Sequence, residues 1–110
     1  MKAASRKGVN IELESIVEFA KNGIVSKTLV KTGSTEVSLF CMSPGQSIST
    51  HKSSFPATIH VLRGNGHVTL ATKIHQAKAN AWFYMPAQLP HAIEATENLV
   101  FLLTLFKQSD

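Results

Sequence analysis

Five histidines and one cysteine are the side chains of this chain best suited to chemistry: His51, His60, His67, His75, His91 and Cys41. Imidazole titrates near neutral pH and binds Zn, Fe, Ni and Cu, so histidine serves proton transfer and metal ligation alike. The acids narrow the choice. Glu12, Glu14, Glu18 and Glu36 lie early, Glu94, Glu97 and Asp110 lie late, and no Asp or Glu occurs between Val37 and Ile93. A site built from the middle of the chain works without a carboxylate. That disfavours a two-His-one-carboxylate iron oxygenase. Glu94 is the nearest acid, and strand alternation from His91 and Ile93 points it to the opposite face. Asp110 is the single Asp, so no Ser-His-Asp order is arguable. Cys41 lies in the apolar stretch Leu39-Phe40-Cys41-Met42 and reads as a buried, inert thiol. Gly64-Asn65-Gly66 is a lone turn pair, not a phosphate loop.

The elements that must position these residues read mostly as strands. Ile24–Lys31 is β-branched and bounded by Thr32-Gly33-Ser34, and Glu36–Met42 completes a hairpin. Further strands are expected at 48–52, 58–63, 67–70, 73–76, 81–85, 91–95 and 99–106, separated by Gly and Pro turns. Residues 11–22 predict a short helical turn followed by a strand, and residues 1–10 a loose N-terminal tail. Leu99–Phe106 (LVFLLTLF) is apolar on both faces, so it is either a central strand or one covered by a partner. The pattern is all-β, a sandwich or barrel in one domain over residues 11–110.

Composition excludes several classes. The 110 residues carry a net charge of +4, but the basic residues are scattered outside Lys2, Arg6 and Lys7, with no basic stripe for nucleic acid. No apolar run approaches the roughly 20 residues of a membrane helix. The N-terminal MKAASRKG has no apolar stretch behind its charges, so a cytoplasmic location is expected. A single cysteine excludes an intrachain disulfide. Charged residues are 16 % of the chain, which suggests a surface covered by a second copy, a homodimer.

Two segments carry a resemblance. One runs from Pro44-Gly45 through five residues to His51, then Ala57 and a strand ending at Gly64; the other is Met85-Pro86-Ala87-Gln88-Leu89-Pro90-His91-Ala92-Ile93. This arrangement resembles the cupin superfamily, and in particular its small single-domain members. Gly45, His51, Gly64, Pro86 and His91 fall on motif positions. Ser53 stands at the second His position, Ala57 at the Glu position, Asn80 and Gln88 at two Gly positions and Ala95 at the Asn position. The resemblance implies a double-stranded β-helix, or jelly-roll barrel, and a dimer of barrels. It implies that two of the four usual metal ligands remain, His51 and His91, inside the barrel mouth.

The function expected from this is binding of a small molecule in the barrel, with a divalent metal (Zn, Fe, Ni, Mn or Cu) held by His51 and His91. His75 is the candidate for a third ligand, since it would pair with Val68 if Ala71-Thr72 is a two-residue turn; its default reading, like that of His60 and His67, is a surface or interface histidine. His60 and His67 are expected to face outward. Two other readings stay open for the pair: hydrogen-bonding groups toward a small ligand, or satisfied histidines in a relic pocket of a non-catalytic sensor or accessory dimer. In the hydrogen-bonding case Lys52 and Arg63 would favour an anionic ligand. Gln46, Ser53, Ala57 and Gln88 are candidates to line the pocket. Trp82 and Tyr84 share one strand face and Phe83 takes the other, serving dimer and core packing.

Overall fold

The computed structural model describes residues 7–107. Nine strands follow a short 3-10 turn at Leu13–Ile16: β1 (Ile24–Lys31), β2 (Thr35–Met42), β3 (Ser47–His51), β4 (Ala57–Arg63), β5 (Asn65–Leu70), β6 (Lys73–Lys78), β7 (Trp82–Met85), β8 (His91–Ala95) and β9 (Leu99–Phe106). They form two antiparallel sheets. One has the order β1-β2-β9-β4-β7 and the other β3-β8-β5-β6. The all-β architecture expected from the turn spacing is observed, and it is the jelly roll that the resemblance implies. Most of the tail expected at residues 1–10 lies outside the described residues; residues 7–10 are exposed.

The core lies between the sheets. Alternate residues of β4 and β9 fill it: Ala57, Ile59 and Val61 from one strand, Leu99 and Phe101 from the other, all at most 2 % exposed. They meet Val68, Ala77, Phe83, Met85 and Ile93 from the remaining strands. Each large apolar side chain buried in this way contributes roughly 1.5–3 kcal/mol.

β9 is central, paired with β2 on one side and β4 on the other. Its outward residues Val100 and Leu102 join Leu39 and Cys41 of β2 in a second apolar layer. The chain covers this layer itself. Ile16, Val17 and Phe19 pack onto it from the N-terminal segment. Two ion pairs fasten the segment to the sheet, Glu18 to Lys27 (2.8 Å) and Glu14 to Arg63 (3.7 Å). Arg63 also sits 6.0 Å from the centre of the Phe19 ring, and Ser43 Oγ donates to the Ala20 carbonyl. The strand expected between the turn and Gly23 does not form, because residues 17–22 are used as this cover and make no strand pairing.

Two glycines permit close backbone approaches around the start of β5, Gly64 to the turn that precedes β9 and Gly66 to β8. Gly64 has φ +100, and a Cβ there would lie 1.8 Å from the Asn98 carbonyl oxygen. At Gly66 a Cβ would lie 2.2 Å from the Glu94 carbonyl oxygen. The stretch expected as a turn, Gly64-Asn65-Gly66, therefore turns at Gly64 alone, and Asn65 and Gly66 already belong to β5.

Candidate functional site

His51 ends β3 and His91 opens β8, and the two are register partners across that antiparallel pair. Regular alternation from the inward Ile48 would turn His51 outward. The register shifts between Ile48 and His51, and the extra residue brings His51 onto the inner face. The imidazole centroids are 4.3 Å apart and the rings are tilted edge to face.

Each ring is fixed in the same way. His51 Nδ1–H donates to the Ser49 carbonyl at 2.9 Å, and His91 Nδ1–H donates to the Leu89 carbonyl at 2.9 Å. A carbonyl oxygen only accepts, so both neutral rings hold the proton on Nδ1 and carry a lone pair on Nε2. His91 is 6 % exposed. Burial lowers its pKa below the ordinary value, the Leu89 carbonyl opposes that shift, and the His51 charge adds to it.

Both rings face a cavity of about 200 Å³ in the open end of the barrel. Phe40 of β2 and Phe101 of β9, parallel at 5.1 Å, form one wall. Ile48, Ile59 and Ile93 with Met85 and Leu103 complete it. The two imidazoles are the polar groups of the lining, and no Lys, Arg, Asp or Glu belongs to it.

Several expected site residues lie elsewhere. His75 does pair with Val68 across β5 and β6, but its ring stands 6.0 Å from Phe83 and does not line the cavity. Among the described residues no three His, Cys, Asp or Glu side chains gather as a metal set. Gln46 sits at the opposite end of the β3–β8 pair from His91, its carbonyl accepting from Ala95 N–H. Ala57 is buried in the core outside the cavity. Ser53 Oγ accepts from Phe55 N–H and its carbonyl accepts from Gln88 N–H, so both residues tie one loop to another instead of lining the cavity. Arg63 is engaged with Glu14 on the outer sheet face, and Lys52 is exposed outside the lining, which removes the basis for an anionic ligand. His60, His67 and Glu94 face outward as expected. The phenylalanine, isoleucine and leucine lining was not singled out from the sequence. Its signal was the alternation of β2, β4 and β9 once their pairing is known.

Comparison with known proteins agrees with this architecture. A family model described as "Cupin domain" matches residues 38–105. The chain belongs to the cupin family. Among solved structures, this cupin is similar to a conserved protein of unknown function from Streptococcus pyogenes, with 26 % identity, TM-score 0.83 and coverage of 94 % of this chain and 90 % of that one. It is similar to a cupin superfamily protein from Desulfitobacterium hafniense at 20 % identity and TM-score 0.83, covering 93 % and 94 %. A cupin 2 conserved barrel domain protein from Leptotrichia buccalis shares 34 % identity over 88 % of this chain and 47 % of its own, with TM-score 0.82. Comparison with functionally curated proteins gives no match. No described helix of the cupin is long and apolar enough to cross a membrane.

Proposed function

We propose that this cupin binds a small molecule in the barrel, its apolar body against the Phe40–Phe101 wall and its polar group on Nε2 of His51 and His91. The observation that carries the reading is the convergence of two tautomer-fixed imidazoles on one apolar cavity. A concave apolar site with few convergent polar groups is the usual form of a small-molecule pocket. A thermal-shift screen of neutral, anionic and cationic compounds tests it, because a ligand that binds only the folded state raises its stability. Failure of every compound to raise the melting temperature of the wild type would leave the pocket a relic.

A second reading has its own support. Nδ1–H bonds to carbonyls are also the arrangement that orients metal-binding histidines. His51 and His91 fit two positions of a Zn, Fe, Ni, Mn or Cu shell, with water or ligand oxygens in the others. They do not fit a resident catalytic metal, which keeps three protein ligands. A bound ion would supply Lewis acidity; the two imidazoles would orient it, and the apolar walls would keep bulk water from its inner side. Metal analysis of protein purified without chelator, beside His51→Ala and His91→Ala, separates the readings. Near one equivalent, lost in both variants, supports the metal; none after reconstitution removes it.

We also propose a homodimer through the outer face of β7. Trp82 is 62 % and Tyr84 48 % exposed, while Phe83 between them is buried. β7 is the edge of its sheet. Exposed aromatics on an unpaired edge favour association.

A further inference from the structure

The cavity around His51 and His91 has an unusual hydrogen-bond polarity. Both Nδ1–H groups are spent on carbonyls, so the neutral pair presents two acceptors and no donor. The remaining lining is hydrocarbon, aromatic ring and one thioether. A carboxylate placed here would set its negative charge against two lone pairs, with no lysine or arginine in the lining to offset it. Removing such a charge from water without a partner is strongly unfavourable. An uncharged O–H group meets the opposite condition, since it donates to an acceptor that otherwise faces only water.

Size and shape restrict the ligand body. A dry cavity of about 150 Å³ lined by Leu, Ile and Phe accommodates benzene. The cavity here, about 200 Å³, has room for one six-membered ring and a small polar substituent. The Phe40 and Phe101 rings, stacked on each other within 2° of parallel, add an aromatic wall for such a ring.

We propose that the cavity selects a neutral hydroxyl compound with a single flat apolar ring, a phenol-type ligand, which donates its O–H to the Nε2 lone pair of one of the two imidazoles, His51 or His91. The proposal rests on the ligand-binding reading above and names its ligand class.

The test compares phenol, toluene and benzoate in NMR titrations of the wild-type protein in chelator-containing buffer. Phenol and toluene have nearly the same shape and differ by a hydroxyl in place of a methyl. Phenol is expected to bind about five- to tenfold more tightly than toluene, the effect of one net hydrogen bond, and benzoate more weakly than both. In the His51→Leu, His91→Leu double variant phenol loses its advantage. Equal binding of phenol and toluene by the wild type overturns the hydroxyl assignment and leaves the cavity reading standing. Tighter binding of benzoate than phenol overturns it as well, by showing an anion site. If none of the three binds, the cavity reading itself fails. Should the double variant not fold, the comparison of phenol with toluene on the wild type still decides.

Discussion

His51 and His91 are cross-strand partners that each donate Nδ1–H to the carbonyl two residues earlier, Ser49 and Leu89, both at 2.9 Å. Two different local structures, a strand end after a bulge and a strand start after Pro90, thus produce the same ring state. Long-range ¹H–¹⁵N spectra of the imidazoles are expected to show the Nδ1–H tautomer for both at pH 8. A Nε2–H pattern for either ring would remove the acceptor pair.

The lowered pKa of His91 sets a pH dependence of stability. The unfolded chain takes up a proton near the ordinary value of 6.5 while the folded ring resists it. Below that pH the unfolded state binds more protons, so stability falls as the medium is acidified and is independent of this group above it. Melting temperatures across pH 5 to 8 are expected to decline on the acid side in the wild type. His91→Gln should flatten the decline.

Gln88 occupies a turn position with φ +70, a region that strains side chains other than Gly. Gln88→Gly relieves that strain, offset by the greater freedom of glycine in the unfolded chain. Chemical denaturation should register a gain of about 0.5–1 kcal/mol. A loss would mean that the exposed Gln88 side chain supports the turn.

Phe19 covers the outer apolar layer above Leu39, Cys41 and Val100. Phe19→Ala is expected to destabilise by about 1.5–3 kcal/mol, less than a fully buried Phe, with faster labelling of Cys41 by thiol reagents. Lys27 holds the Glu18 carboxyl below its ordinary pKa through a hydrogen bond and its charge. That pair is open to solvent, so Glu18→Gln should leave the melting temperature within experimental error.

If β7 forms the homodimer interface, Trp82→Glu halves the mass seen by light scattering and preserves the circular dichroism of the barrel. An unchanged mass for the variant, dimeric or monomeric, removes β7 as the contact.

The strands were legible in the sequence because β-branched and apolar runs such as Ile24–Lys31 and Leu99–Phe106 stand between Gly and Pro turns. The His51–His91 partnership was legible only through motif resemblance, since forty positions separate them and period alone carries no register. The bulge that turns His51 inward was invisible, because nothing in Ser49-Thr50 marks an extra residue. The covering role of Ile16, Val17 and Phe19 was hidden as well. A segment that packs without strand pairing follows neither a period of two nor of 3.6. Gln46 and Ala57 lie outside the cavity lining for a related reason: a place within a motif segment does not fix which end of a strand, or which layer, a side chain occupies.

The central place of β9 bears on how the molecule is made. β2 and β4 leave the ribosome long before residues 99–106, and neither bonds to the other except through that strand. The larger sheet therefore stays in two pieces, its apolar faces unmatched, until residues 99–106 are made. Folding of this sheet waits for those residues, depends on pairings distant in sequence and is correspondingly slow. A nascent chain stalled before Leu99 would be a natural client for chaperones that shield unpaired strands.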